Sequence, residues 1–188
     1  MGNVRTIAVP SYYKRLANYF PTHEMKNFRQ LQALVEDVPY YDLMETSEYL
    51  VLYGDFSDFM FIDYLLVNRD QRGAGIGSRL MERLKARNKP ILLEVEPTNA
   101  NDPDTYKRRR FYAHNGFTVA RGVQYERFDD DGQPFQMDLL YWSPSQQIND
   151  EQVMTMMTEV CKRIHNYKAE SYYGRIPADP DEVLSLAE

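Results

Sequence analysis

Between an apolar run and an amphipathic one stands Arg72-Gly73-Ala74-Gly75-Ile76-Gly77-Ser78, and its residue types point to phosphate chemistry. Glycines at alternate positions remove Cβ atoms where a backbone must turn tightly or be approached closely. The helix that comes next would aim unpaired N–H groups and the positive end of its dipole at the same place, and Arg72 adds a cation beside them. Pyrophosphate binding is the chemistry this pattern predicts. A P-loop needs a lysine after its last glycine, which this turn lacks. The dinucleotide fingerprint Gly-x-Gly-x-x-Gly fits Gly73 and Gly75, puts Ser78 at its third position, and finds an acid, Glu94, about 20 residues on, where a ribose would be held. Against it, the polar residues Asn68 to Arg72 separate strand from first glycine, and the rest of the chain lacks the repeated strand-helix pattern of a doubly wound sheet.

Glu94 and Glu96 alternate at the C-terminal end of the apolar strand Ile91 to Val95, so they share a face. A carboxylate among apolar neighbours can have a raised pKa, and Glu94 is the first candidate to accept a proton from an amine. An exposed strand face also commonly carries Glu. His23, His114 and His165 are scattered and suggest neither a metal nor a catalytic triad.

Two segments in order, Val67-x-x-x-x-Arg72-Gly73-Ala74-Gly75-Ile76-Gly77 and then Phe111-Tyr112-x-x-x-Gly116-Phe117, resemble the GNAT superfamily of N-acetyltransferases. The resemblance implies a site for acetyl-CoA, as co-substrate, between the strand ending at Val67 and the strand Ile91 to Val95, which splay apart. Backbone groups of Leu65 and Val67 would hold the pantetheine arm. The N–H groups of Arg72, Gly73, Ala74, Gly75, Ile76, Gly77 and Ser78 would hold the pyrophosphate. The family's asparagine near the start of the next helix is replaced by Asp104, a cap candidate, so Asn99 or Asn101 would have to supply its contact. Tyr112 matches the tyrosine beside the sulfur, and a phenol of pKa about 10 is a plausible acid toward a thiolate whose thiol sits near 8.5. The implied reaction is direct attack of a small-molecule or peptide amine on the thioester, without metal or covalent enzyme intermediate. The alternative is a non-catalytic acyl-CoA sensor or interaction module.

Positioning these residues requires a particular order of elements. Val4 to Val9 alternates like a strand, and helical spacing follows in Tyr12 to Phe20 and Met25 to Val35. Glu48 to Tyr53 and Phe56 to Val67 predict an antiparallel pair. A helix from Gly75 to about Asn88 then leads to the strand at Ile91, the one parallel crossover. Thr105 to Asn115 predicts a helix closed by Gly116. Phe117 to Phe128 and Phe135 to Trp142 flank the turn Asp129 to Gly132 as a hairpin, and Asn149 to Tyr167 predicts a long amphipathic helix. Val183, Leu184 and Leu186 could dock the tail. The fold class is therefore mixed α/β, a largely antiparallel sheet with helices on both faces. A GNAT-like domain is expected over 1–145, with a C-terminal helix and tail over 146–188 packed on it.

The chain has 188 residues, 43% of them apolar, which suits one well-cored domain. A net charge of −6 argues against a nucleic-acid surface and is compatible with a cationic acceptor. Cys161 is the single cysteine, so no intrachain disulfide can form and a reducing compartment is the simpler reading. No stretch reads as a signal peptide or a membrane span, and the cytoplasm is the expected location. Oligomeric state stays open, a homodimer included.

Overall fold

The computed structural model describes residues 8–68, 73–145 and 147–187. Of the strand expected at the N-terminus, residues 4–7 lie outside that range, and Ala8 and Val9 form no strand. Two helices come first, α1 (Ser11–Ala17) and α2 (Phe28–Asp37), with a single 3-10 turn at Thr22–Glu24 between them. Asn27 caps α2 by accepting from the Arg29 N–H at 2.9 Å. Then come β1 (Tyr41–Glu45), β2 (Tyr49–Asp55), β3 (Met60–Val67), α3 (Ile76–Lys85), β4 (Ile91–Val95) and α4 (Pro103–His114). The last part of the chain forms β5 (Thr118–Val119), β6 (Val123–Phe128), β7 (Pro134–Gln136), β8 (Asp138–Trp142), α5 (Asp150–Val160), α6 (Ala169–Tyr173), α7 (Pro180–Val183) and β9 (Leu184–Leu186).

The main sheet runs β1-β2-β3-β4-β8-β5, and only β3 and β4 are parallel. Helices cover both faces. Leu16, Leu31 and Leu34 of α1 and α2 share one core with Val153, Met157 and Val160 of α5 and with Phe61 and Leu92 of the sheet. Leu80, Met81 and Leu84 of α3 and Tyr112 of α4 pack on the other face against Met60, Ile62, Ile91 and Leu93. The segment expected as an appended extension thus contributes to the first core. Among the described residues, no helix is long and apolar enough to cross a membrane.

Two features of β3 open a gap in the sheet. Leu52 opposes Tyr64 and Tyr53 opposes Ile62, so Asp63 is an extra, bulged residue. The insertion swaps faces: Phe61 lies in the first core and Ile62 in the second, whereas beyond the bulge Tyr64 and Leu66 lie in the first and Leu65 packs on the second. At the same place the ladder to β4 stops, since the register pairs are Met60 with Ile91, Phe61 with Leu92 and Ile62 with Leu93. The C-terminal halves of β3 and β4 then diverge into a cleft.

Several expectations need correction. The stretch between Val35 and Glu48, to which the sequence pattern assigns no element, contains β1, an edge strand whose Asp42 and Glu45 obscure its alternation; charge on an edge discourages pairing with other chains. The hairpin turn forms, with Asp129 Oδ1 accepting from the N–H groups of Asp131 and Gln133. Its arms, however, divide between sheets: β5 and β8 stay in the main sheet, while β6 joins β7 and β9 in a second one. The long C-terminal helix ends at Val160 and loosens into one π turn, Cys161–His165, closed by Asn166 N–H to the Cys161 carbonyl at 2.8 Å. The cap of α4 is Asp102, which accepts from the Asp104 N–H at 3.0 Å, not Asp104.

Candidate active site

The divergence of β3 and β4 opens a cleft of about 480 Å³ that passes from one sheet face to the other. On the α3 and α4 side it is lined by Leu65, Val67, Gly73, Gly75, Ile76, Gly77, Ser78 and Tyr112. Gly73 and Gly75 have φ of +86° and +73°, a left-handed backbone that glycine adopts without strain. Gly75 is the N-cap of α3, and no side chain caps that end, which leaves the first-turn N–H groups and the helix dipole directed at the cleft. Gly77 has a different reason: a Cβ there would come 2.8 Å from Phe111 of α4, so its smallness lets the two helices close.

Tyr112 owes its position to the end of α4. Gly116, at φ +78°, donates to the Ala113 carbonyl, and Phe117 N–H donates to the Tyr112 carbonyl at 3.0 Å, a Schellman closure. The Phe117 ring then packs edge-on against Tyr112, with centroids 5.6 Å apart. The phenol is buried, and burial pushes its pKa well above the ordinary range, partly offset by the Arg108 charge. It is a protonated donor at any physiological pH.

Across the sheet the cleft is lined by Tyr19, Phe20, Glu24, Lys26, Asp63, Tyr64, Glu94 and Arg127. Lys26 Nζ pairs with Asp63 Oδ1 at 2.6 Å, both side chains almost wholly buried, and Tyr41 donates to the other Asp63 oxygen at 2.5 Å. Glu94 Oε1 lies 2.7 Å from His165 Nε2, which the π turn swings into the core. Burial alone would raise the Glu94 carboxyl. The His165 imidazole, by charge and hydrogen bond, and then Arg127 and Lys26 outweigh that, holding it at about 2. The upward shift expected from the apolar strand is therefore reversed. His165 itself is lowered, burial outweighing Glu94, which favours a neutral ring donating to the carboxylate. Glu24, by contrast, is raised to about 8, by burial first and then by the charge and hydrogen bond of Glu96. His23, Glu24 and Glu96 bring their side-chain polar atoms within 4.8 Å of one another, and the positive charge beside them is Arg108, 3.6 Å from Glu96.

The family model for the "Acetyltransferase (GNAT) domain" matches residues 43–119. "Putative acetyltransferase YjbC" of Bacillus subtilis (strain 168) is 38% identical over 180 residues, spanning 95% of this chain and 93% of its own. The chain belongs to the GNAT acetyltransferase family. Among solved structures, a "Putative acetyltransferase from GNAT family" of Bacteroides thetaiotaomicron superposes on this GNAT chain with TM-score 0.64 at 21% identity, over 79% of this chain and 90% of that one. Arabidopsis thaliana NAA60 in complex with acetyl-CoA does so with TM-score 0.52 at 14% identity, over 70% and 90%. At those identities they attest the fold.

Of the residues singled out from sequence, Leu65, Val67, Gly73, Gly75, Ile76, Gly77, Ser78, Glu94 and Tyr112 line this GNAT cleft together. Ala74 sits in the turn between two of them, and Arg72 lies outside the described residues. Asn99 is not brought to the cleft: its side-chain carbonyl accepts from Asn101 N–H at 2.9 Å and its own N–H donates to Thr105 Oγ1. In the run of basic residues Lys107-Arg108-Arg109-Arg110 on α4, Lys107 and Arg108 border the cleft, whereas Arg109 pairs with Asp138. Sequence reasoning missed Glu24, Lys26, Asp63, Arg127 and His165. One signal was available, a lone carboxylate at Asp63 inside the apolar run Met60 to Val67.

Proposed function

We propose that this protein transfers the acetyl group of acetyl-CoA to an amine by direct attack. The observation that carries the reading is one continuous cleft holding the uncapped start of α3, the diverging strands and the buried Tyr112 hydroxyl. Membership of the GNAT family supports it, as does the acetyl-CoA bound by NAA60, which shares the fold. The pyrophosphate would sit on the turn from Gly73 to Ser78, and the pantetheine arm would run along Leu65 and Val67.

In the reaction the amine nitrogen bonds to the thioester carbon, the C–S bond breaks, the nitrogen loses a proton and the sulfur gains one. A phenol raised as far as Tyr112 transfers its proton to a thiolate only uphill, so its part is to donate a hydrogen bond to the departing sulfur. Glu94 is too firmly ionised to be the base and acts as a fixed negative charge that steadies Arg127 and His165. The base is Glu24 on the cleft wall, whose carboxyl burial and the neighbouring Glu96 raise to about 8.

The base form of Glu24 is unprotonated, so kcat/KM rises as pH rises through about 8. In Glu24→Gln that limb disappears from the pH profile; a profile unchanged in the variant removes Glu24 from the chemistry. The donor site is tested by calorimetric titration of acetyl-CoA and, separately, NADH. Gly75→Glu forces a side chain into a left-handed backbone, costing about 1–2 kcal/mol, and sets a carboxylate against the pyrophosphate. Acetyl-CoA binding lost in that variant is the expected result. NADH binding alone would overturn the reading, and acetyl-CoA binding with no thiol release for any amine would make the protein a sensor.

A further inference from the structure

Arg127 stands out among the charged groups of the cleft. Lys26 and Asp63 satisfy each other at 2.6 Å, and Glu94 is engaged by His165 at 2.7 Å. The Arg127 guanidinium is also nearly buried, with 14% of its side chain exposed, yet its nearest carboxylate oxygen, Glu94 Oε2, is 3.7 Å away, beyond hydrogen-bond reach. Its Nε is buried without a partner, and among the described residues no hydrogen bond from its other nitrogens is found. A guanidinium offers five donors in a planar fork, and the part of this fork that lines the cleft is open to an anionic ligand. The centroid of the Phe135 ring lies 5.8 Å from the guanidinium carbon, a cation–π contact.

The charge balance says what that ligand carries. Lys26 offsets Asp63 and Arg127 offsets Glu94, while Glu24 adds a further negative charge when it is ionised, so an anion with a single charge meets less repulsion at the fork than one with two. A carboxylate meets both conditions, because it is singly charged and its two oxygens match the guanidinium in parallel. A phosphate dianion would bring a second charge toward Glu94 and Asp63. Arg127 borders the α1 and α2 side of the sheet with Tyr19, Phe20 and Glu24, opposite the face that carries the glycine turn. It therefore faces the acceptor.

We propose that the acceptor is a small amine bearing its own carboxylate, an amino acid, whose carboxylate pairs with Arg127 while its amine meets the thioester. The inference rests on the acetyl-transfer reading and adds the acceptor's class. The bond changes are the same: N–C forms, C–S breaks, and the proton given up by the amine is balanced by the one taken by the thiolate.

The test uses the full chain with acetyl-CoA, following thiol release for common amino acids beside the amines made by decarboxylating each of them. The expected result is turnover of at least one amino acid with kcat/KM at least tenfold above its decarboxylated partner. This comparison needs no variant. Arg127→Gln is then expected to raise KM for that amino acid tenfold or more, to erase its advantage over the decarboxylated amine, and to leave the Kd for acetyl-CoA unchanged; Arg127→Lys, which keeps the charge and loses the fork, falls between. A Tm for each variant establishes that it is folded. Equal or better use of the decarboxylated amines overturns the proposal. So does acetyl-CoA binding with no amino acid acetylated, an outcome that leaves the donor reading standing, whereas absence of acetyl-CoA binding defeats that reading itself. A weakened acetyl-CoA Kd in Arg127→Gln would assign the fork to the donor. An effect on KM from Arg108→Gln in place of Arg127→Gln would put the anion on α4 and equally overturn the assignment.

Discussion

Tyr112→Phe is expected to lower kcat about a hundredfold while the Kd for acetyl-CoA stays nearly the same, the low end of what one preorganised hydrogen-bond donor to a developing charge supplies. The substitution removes one oxygen and keeps the ring. The edge-on packing on Phe111 and Phe117 survives, as does the Schellman closure, which uses only backbone groups at Ala113, Gly116, Phe117 and the Tyr112 carbonyl. A loss of turnover would therefore report the hydroxyl alone. Steady-state rates at saturating acetyl-CoA with calorimetry on the same sample separate the two quantities. An unchanged kcat would reduce Tyr112 to a core tyrosine and move stabilisation of the leaving sulfur elsewhere.

Asp63→Ala is expected to destabilise the fold by about 3–5 kcal/mol, because it leaves the Lys26 ammonium buried without its counter-charge and the Tyr41 hydroxyl without its acceptor. That is a large share of the total for a single domain, roughly 5–15 kcal/mol. Urea unfolding followed by the fluorescence of Trp142 measures it. The double variant Lys26→Met with Asp63→Leu is expected to recover most of the loss, since apolar groups of similar size remove both charges together. A loss below about 1 kcal/mol for the single change would mean that water reaches Lys26 as it reaches a surface pair.

The parts of this site that are legible in the sequence are those whose physics is local. The turn from Gly73 to Gly77 announces itself because left-handed backbone and helix starts favour particular residue types over a few positions. The Tyr112 to Phe117 segment does so because a helix end closes with a glycine and an apolar partner. The order β3, α3, β4 comes from hydrophobic period. The hidden parts are assembled across long separations. His165 meets Glu94 across 71 positions, and Lys26 meets Asp63 across 37, neither with any local pattern to mark it. The pKa of Glu94 escapes a sequence reading for the same reason: neighbours in the strand predict desolvation, but the groups that reverse it come from β6 and the π turn. The carboxylate at Asp63 marks a break in the apolar run but not that it is a bulge, because the register with β2 is set outside the run, and β1 is concealed by the acids its edge position tolerates.

The pairing of Glu94 with His165 also sets a clock on the molecule's birth. At about 5–20 residues per second, a ribosome adds the 71 positions between them in roughly 4–14 seconds. Throughout that interval the chain already contains the residues of the glycine turn, β3 and β4, and soon Tyr112, but not the imidazole that satisfies Glu94 or the β9 strand that completes the second sheet on β6. The residues of the donor half are thus made before the imidazole that matches the acid of the acceptor half, and His165 is the last side chain to join that half.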